Sequence, residues 1–201
     1  MKKNAIIVAG GTGSRMNSSI PKQFLLLQGK PVLYYTIKSF LLSYHDLKII
    51  LVLPEDHVAQ GQSIIDAFFD YSRIQIAVGG RTRFHSVQNG LKLIQEECII
   101  FVHDAVRCLV SIDLIKRCYD TAIERGSAIP VIDSKDSLRL ITEEGNEALE
   151  RVAVMSSAKN PGDSFSLANS IILIHLAAIS FSVGTRVSLL TEVLIIYFLA
   201  K

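Results

Sequence analysis

The sequence lacks a charge bias. Lysine and arginine number 21 and aspartate and glutamate 19 over 201 residues, a net charge of +2. No broad basic field is present for a nucleic-acid backbone. Cysteine is scarce: Cys98, Cys108 and Cys118 are widely spaced, with no Cys-x-x-Cys and no Cys/His pairing. That argues against a disulfide scaffold and against a zinc site, and the three read as reduced packing residues. The start, Met1-Lys2-Lys3-Asn4, leads into an apolar run too short for the core of a secretory signal, so a cytoplasmic protein is expected. Repeats and low-complexity stretches are absent. What remains is a chain that is 49% apolar and 20% charged, long enough to bury a full core in one domain.

The apolar pattern alternates between two periods. A continuous apolar run at 5–9 and largely apolar runs at 47–53, 74–78 and 98–102 read as strands, the first two buried on both faces. Between them, helical spacing is expected over 31–42, with Pro31 in its first turn, over 55–69, and over 82–94, where Val87, Leu91 and Ile94 share a face. A further helix is expected over 111–125 with Ser111 as its cap, followed by shorter strands at 127–131 and 137–141. Strands alternating with helices predict an α/β protein with a mostly parallel sheet covered on both faces. Such a sheet binds ligands at the carboxyl ends of its strands, and the polar motifs of this chain fall there.

Four motifs carry chemistry. After the first strand stands Ala9-Gly10-Gly11-Thr12-Gly13-Ser14-Arg15-Met16, followed by Pro21-Lys22-Gln23. The glycines let the backbone approach a ligand with its N–H groups, and Arg15 and Lys22 add two cations suited to a triphosphate. It is not a Walker loop, since no Gly-Lys-Ser/Thr follows, and Met16 stands where a dinucleotide fingerprint needs a third glycine. Taken alone, it is equally an ordinary glycine-rich turn. After the third strand comes Gly79-Gly80-Arg81-Thr82-Arg83-Phe84-His85-Ser86-Val87-Gln88-Asn89-Gly90-Leu91, with Ser86 about one turn into a helix, able to reach back to a base or ribose. His85 reads as a solvated helix residue. After the fourth strand, His103-Asp104-Ala105-Val106-Arg107 puts an acid where a divalent metal or a ribose would bind and an arginine where a phosphate would. A plain surface ion pair has the same sequence, and His103 reads as orienting the loop. Last, Pro130-Val131-Ile132-Asp133-Ser134-Lys135-Asp136-Ser137-Leu138-Arg139 holds two acids and two bases, as does many a solvated hairpin.

In this order and spacing, over about residues 4–150, the four motifs resemble the methylerythritol phosphate cytidylyltransferase family. Its AAGxGxRM and PKQ, GGxxRxxSVxNGL, HDAxR and PxxDS segments stand here as AGGTGSRM with PKQ, GGRTRFHSVQNGL, HDAVR and PVIDS. The resemblance implies a Rossmann-like, mostly parallel sheet of the nucleotide-diphospho-sugar transferase (GT-A-like) kind. It implies transfer of a cytidylyl group from CTP to 2-C-methyl-D-erythritol 4-phosphate in nonmevalonate isoprenoid synthesis, a magnesium requirement and a homodimer. By the same resemblance Ala9, Gly10 and Gly11 line the nucleotide, Arg15 and Lys22 hold its phosphates, and Gly80 and Ser86 contact the cytosine. Asp104 then meets ribose, metal or substrate, and Arg107 faces the substrate. Ser134 takes the place of a substrate-binding hydroxyl. Gly10 replaces the family's usual second alanine. Ribitol 5-phosphate cytidylyltransferase shares most of these motifs and is the alternative within enzymes. A CTP-binding protein inactivated by its altered carboxyl terminus is the alternative outside them.

The pattern stops after about Arg151. The family's QTPQ segment has a poor counterpart in Asn160-Pro161-Gly162, and its late triphosphate lysine has none. Glu150-Arg151 reads as the remnant of the arm that reaches a partner subunit, making Arg151 a candidate substrate ligand. The expected division is thus a catalytic domain over 1–150 and a divergent tail over 151–201. Residues 164–185 carry no charge, yet their Ser, Asn, His and Gly content suits a membrane poorly. An altered reading frame near residue 152 accounts for such a tail, and the other two frames of the encoding DNA test that.

Overall fold

The computed structural model describes residues 1–10, 20–133, 139–142, 145–148, 153–155 and 195–198. Its centre is a five-stranded sheet in the order β11-β6-β1-β4-β5, built from β1 (Lys2–Val8), β4 (Leu47–Leu53), β5 (Ile74–Val78), β6 (Cys98–Asp104) and β11 (Ile195–Phe198). β6, β1, β4 and β5 are mutually parallel, and β11 runs antiparallel along β6. The short pairs β2 (Leu26–Leu27) with β3 (Lys30–Pro31), β8 (Arg139–Thr142) with β9 (Gly145–Ala148), and β7 (Val131–Asp133) with β10 (Ala153–Met155) are separate antiparallel ladders. The parallel core is the one expected from its largely apolar runs. β11 lies in the stretch where the sequence shows no pattern.

The runs are largely apolar because successive side chains enter different cores, with Lys48 and Gln75 as exposed exceptions. Ala5, Ile7, Ile49, Leu51, Leu53, Ile99 and Phe101 point to one face, where α1 (Val32–Ser43), α2 (Val58–Phe68) and α4 (Ile112–Arg125) cover them with Leu33, Ile37, Phe40, Ile64, Ile65, Leu114, Ile115 and Cys118. Ile6, Val8, Ile50, Val52, Cys98, Ile100 and Val102 point to the other, where α3 (Arg83–Leu91) packs Val87 and Leu91 against them, joined by Ile94 from beyond its end. α3 comes close to the sheet because Gly90 has no side chain: a Cβ there would lie 2.9 Å from Ile6 Cγ2.

Element ends depart from the sequence expectation for local reasons. The helix expected over 55–69 opens as a 3₁₀ turn, Glu55–His57, before α2 begins at Val58. The helix expected to reach 94 ends at Leu91, its last residues forming turns through Leu93 N–H to Gly90 O and Ile94 N–H to Leu91 O. The fourth strand runs on past 102 to take in His103 and Asp104. The seventh begins only at Val131. Ser111 caps α4 by accepting the Leu114 N–H at 3.1 Å, and Gly126, at φ 85°, ends it. Cys98, Cys108 and Cys118 are all free, and burial pushes the Cys118 thiol up to about 12. Among the described residues no helix is long and apolar enough to cross a membrane. The uncharged stretch 164–185 lies outside them.

Candidate active site at the carboxyl edge of the sheet

The register levels the carboxyl ends of the parallel strands. Val8 pairs with Val52 on one side and Asp104 on the other, and Leu53 pairs with Val78. The ladder continues one residue further: Ala9 N–H donates to Val52 O (2.8 Å), Ala105 N–H to Val8 O (2.9 Å) and Gly79 N–H to Leu53 O (2.7 Å). Three motif loops therefore leave the sheet side by side.

The first loop is braced from below. Gln23, 1% exposed, donates from Nε2 to Ala9 O at 2.8 Å, and Phe24 is buried in the larger core. The 3₁₀ turn Lys22–Phe24 is thereby fastened to the end of β1, which brings half-buried Lys22 to this edge. Among the described residues no ion pair engages the Lys22 ammonium. The loop after β6 is braced in the same way, by Thr36 Oγ1 donating to Ala105 O at 2.7 Å.

The second motif is a turn locked by a serine. Ser86 is 3% exposed, and its Oγ accepts the Gly80 N–H at 3.1 Å while lying 3.0 Å from Thr82 O, to which it donates. Thr82 caps α3 by accepting the His85 N–H at 3.3 Å. Both glycines are there for space: a Cβ on Gly80 would sit 2.4 Å from His85 Cβ, and one on Gly79 would sit 3.1 Å from Ser86 Oγ. On Gly10 it would meet Ser86 Oγ at an ordinary 3.9 Å, so the family's alanine also fits there. That distance shows how closely the first loop and α3 approach.

Asp104 closes the third side. Its Oδ1 accepts from Arg83 Nε and its Oδ2 from Arg107 Nε, each at 2.9 Å, with Asp104 only 20% exposed. His103 is 2% exposed, with Nε2 3.0 Å from Arg107 O. Burial pushes its pKa down to about 4, so the ring is neutral, and the carbonyl partner assigns its proton to Nε2. Its bond to the Arg107 carbonyl orients the loop, as expected from the sequence, and its buried Nδ1 has no hydrogen-bond partner among the described residues. Among the described residues no group of three His, Cys, Asp or Glu is placed to hold a metal. Asp104, the acid that the sequence reading gives to a divalent metal or a ribose, has each oxygen engaged by an arginine and keeps further lone pairs for a ligand.

Of the residues singled out from sequence, Ala9, Gly10, Lys22, Gly80, Ser86, Asp104 and Arg107 come together at this edge. Gly11, Arg15, Ser134 and Arg151 lie outside the described residues. Sequence reasoning placed Gln23 and Arg83 in motifs without giving either a role, and missed Thr36. Arg83 had a legible signal, because it stands three residues before Ser86 and so on the same helical face. A cavity of about 510 Å³ lies elsewhere, at the amino edge, lined by Asn4, Lys48, Arg73, Gln75, Gln95 and Glu96 among others. No motif reaches it.

The family model of 2-C-methyl-D-erythritol 4-phosphate cytidylyltransferase (IspD) matches residues 4–161. This chain belongs to that family. A relative of that name from Bacteroides thetaiotaomicron is 44% identical over 151 residues, covering 75% of this chain and 69% of the relative. One from Clostridium botulinum is 41% identical over 147 residues, covering 72% and 63%. Among solved structures, 4-diphosphocytidyl-2C-methyl-D-erythritol synthase from Anaerococcus prevotii covers 93% of this chain and 78% of its own at a TM-score of 0.63 and 21% identity, a likeness of fold. The bifunctional IspDF of Campylobacter jejuni covers 77% of this chain and 39% of its own at a TM-score of 0.62 and 25% identity. The Rossmann-like nucleotidyltransferase fold and the cytidylyltransferase family agree with the sequence reading. Residues after 161 lie outside the family match.

Proposed function

We propose that the chain transfers a cytidylyl group from CTP to 2-C-methyl-D-erythritol 4-phosphate, releasing pyrophosphate, in nonmevalonate isoprenoid synthesis. The phosphate monoester of the acceptor is already largely ionised at neutral pH, so no protein base is needed. One of its oxygens attacks the α-phosphorus of CTP in line; the bond from that phosphorus to the bridging oxygen breaks, and pyrophosphate carries away the electron pair.

The residues then position and neutralise. Ala9, Gly10 and Gly11 line the nucleotide, and the Gly80 turn, held in shape by Ser86, receives the cytosine. Asp104 takes the ribose, Arg107 faces the acceptor phosphate, and Lys22 and Arg15 bind the triphosphate, where cations aimed at the developing charge act most strongly. Magnesium held by Asp104 and phosphate oxygens would supply further neutralisation. Ser134 and Arg151 complete the acceptor side by family pattern. A homodimer and a cytoplasmic location belong to the same reading.

The observation that carries it is the shared level of Val8, Val52 and Asp104, with Gly79 bonded to Leu53, which brings three separate motifs to one edge. A pyrophosphate-release assay with CTP tests it. Release with methylerythritol phosphate, and much less with ribitol 5-phosphate, is expected. CTP binding in calorimetry without release with either acceptor overturns it.

A further inference from the structure

Asp104 is gripped from two directions. Arg107, three residues along its own loop, holds Oδ2, and Arg83, from the first turn of α3, holds Oδ1. Arg83 shares a helical face with Ser86, which locks the Gly80 turn. The first turn of α3 therefore touches both halves of the crevice: through Ser86 the turn beside β5, through Arg83 the carboxylate at the end of β6. The helix is seated firmly enough to transmit a displacement, since Gly90 lets it lie directly on Ile6 and Val52.

We propose that Arg83 is a positioning residue that acts on the nucleotide through Asp104, setting the rotation of that carboxylate and coupling it to occupancy of the Gly80–Ser86 turn. This rests on the reading of the site as a nucleotide site. A purely structural role is disfavoured by exposure: the Arg83 side chain is 44% exposed, and pairs so exposed contribute little to folding. A geometric role suits it better, because two guanidiniums approaching different oxygens leave the carboxylate one orientation.

The test is a double-substitution cycle on the full chain, read by calorimetric CTP binding in magnesium buffer, with thermal unfolding measured alongside. Arg83→Met is expected to weaken CTP binding about tenfold with little change in Tm, and Arg83→Lys to recover part of that loss. In an Asp104→Asn background, Arg83→Met is expected to cost less than about twofold, because the carboxylate it acts on is gone. An equal loss in both backgrounds overturns the proposal, since Arg83 would then meet the nucleotide itself. So does no loss in either, which would leave an ordinary surface pair. Failure of the unchanged chain to bind CTP would sink the nucleotide reading first and this proposal with it.

Discussion

The two edges of the parallel sheet both gather cations, but they use them differently. At the amino edge Lys2 pairs with Glu96, and Lys3 pairs with Asp46 at 2.9 Å while lying over the rings of Tyr44 and Tyr119. Arg73 Nη1 reaches the carbonyls of Leu41, Tyr44 and His45, closing the end of α1. Those charges are spent on the fold. At the carboxyl edge the backbone is opened by glycines that a Cβ would block, a buried serine holds a turn, and one carboxylate is fixed by arginines from two elements. The amino edge has a cavity of about 510 Å³ that no motif reaches, and the carboxyl edge has the motifs. Convergence of loops from separate strands is the guide to the site here.

Substitutions on the two edges should separate activity from stability. The largest expected effect is that of Lys22→Ala, which should lower turnover by about 100-fold or more with the fold intact, as checked by pyrophosphate release and circular dichroism. Turnover near that of the unchanged chain would remove Lys22 from the mechanism. Gly80→Ala should be next: the turn must open to clear His85, so CTP binding should weaken and stability fall by roughly 1–3 kcal/mol in urea unfolding. Arg73→Ala, at the other edge, should cost roughly 1–2 kcal/mol of stability and leave the KM for CTP unchanged. A changed KM would break the division between the edges.

The smallest effect concerns pH. Burial, with Asp120, Tyr119 and Asp46 nearby, raises the Tyr44 phenol from 10.0 to about 12. Between those values the unfolded chain loses this proton and the folded chain keeps it, so stability should fall as pH rises through that window. In Tyr44→Phe that part of the alkaline slope should disappear from urea unfolding curves, and an unchanged slope would place the phenol in water.

The strands were legible because burial on both faces favours apolar residues, as Ala5, Ile6 and Ile7 illustrate. Ser111 was legible because a hydroxyl at a helix start has one evident use. Arg83 could be placed in its motif and on the face of Ser86 from sequence, but its pairing with Asp104 is a property of the fold, brought about by the packing of α3 beside β6. β11 could not be read since an edge strand takes its register from the neighbour it joins, here β6.

A crystal structure of the chain with CTP tests the central claim most directly. The account predicts cytosine against the Gly80–Ser86 turn, ribose beside Asp104 and triphosphate reaching Lys22. CTP seated instead in the amino-edge cavity beside Lys48 and Arg73 would contradict it.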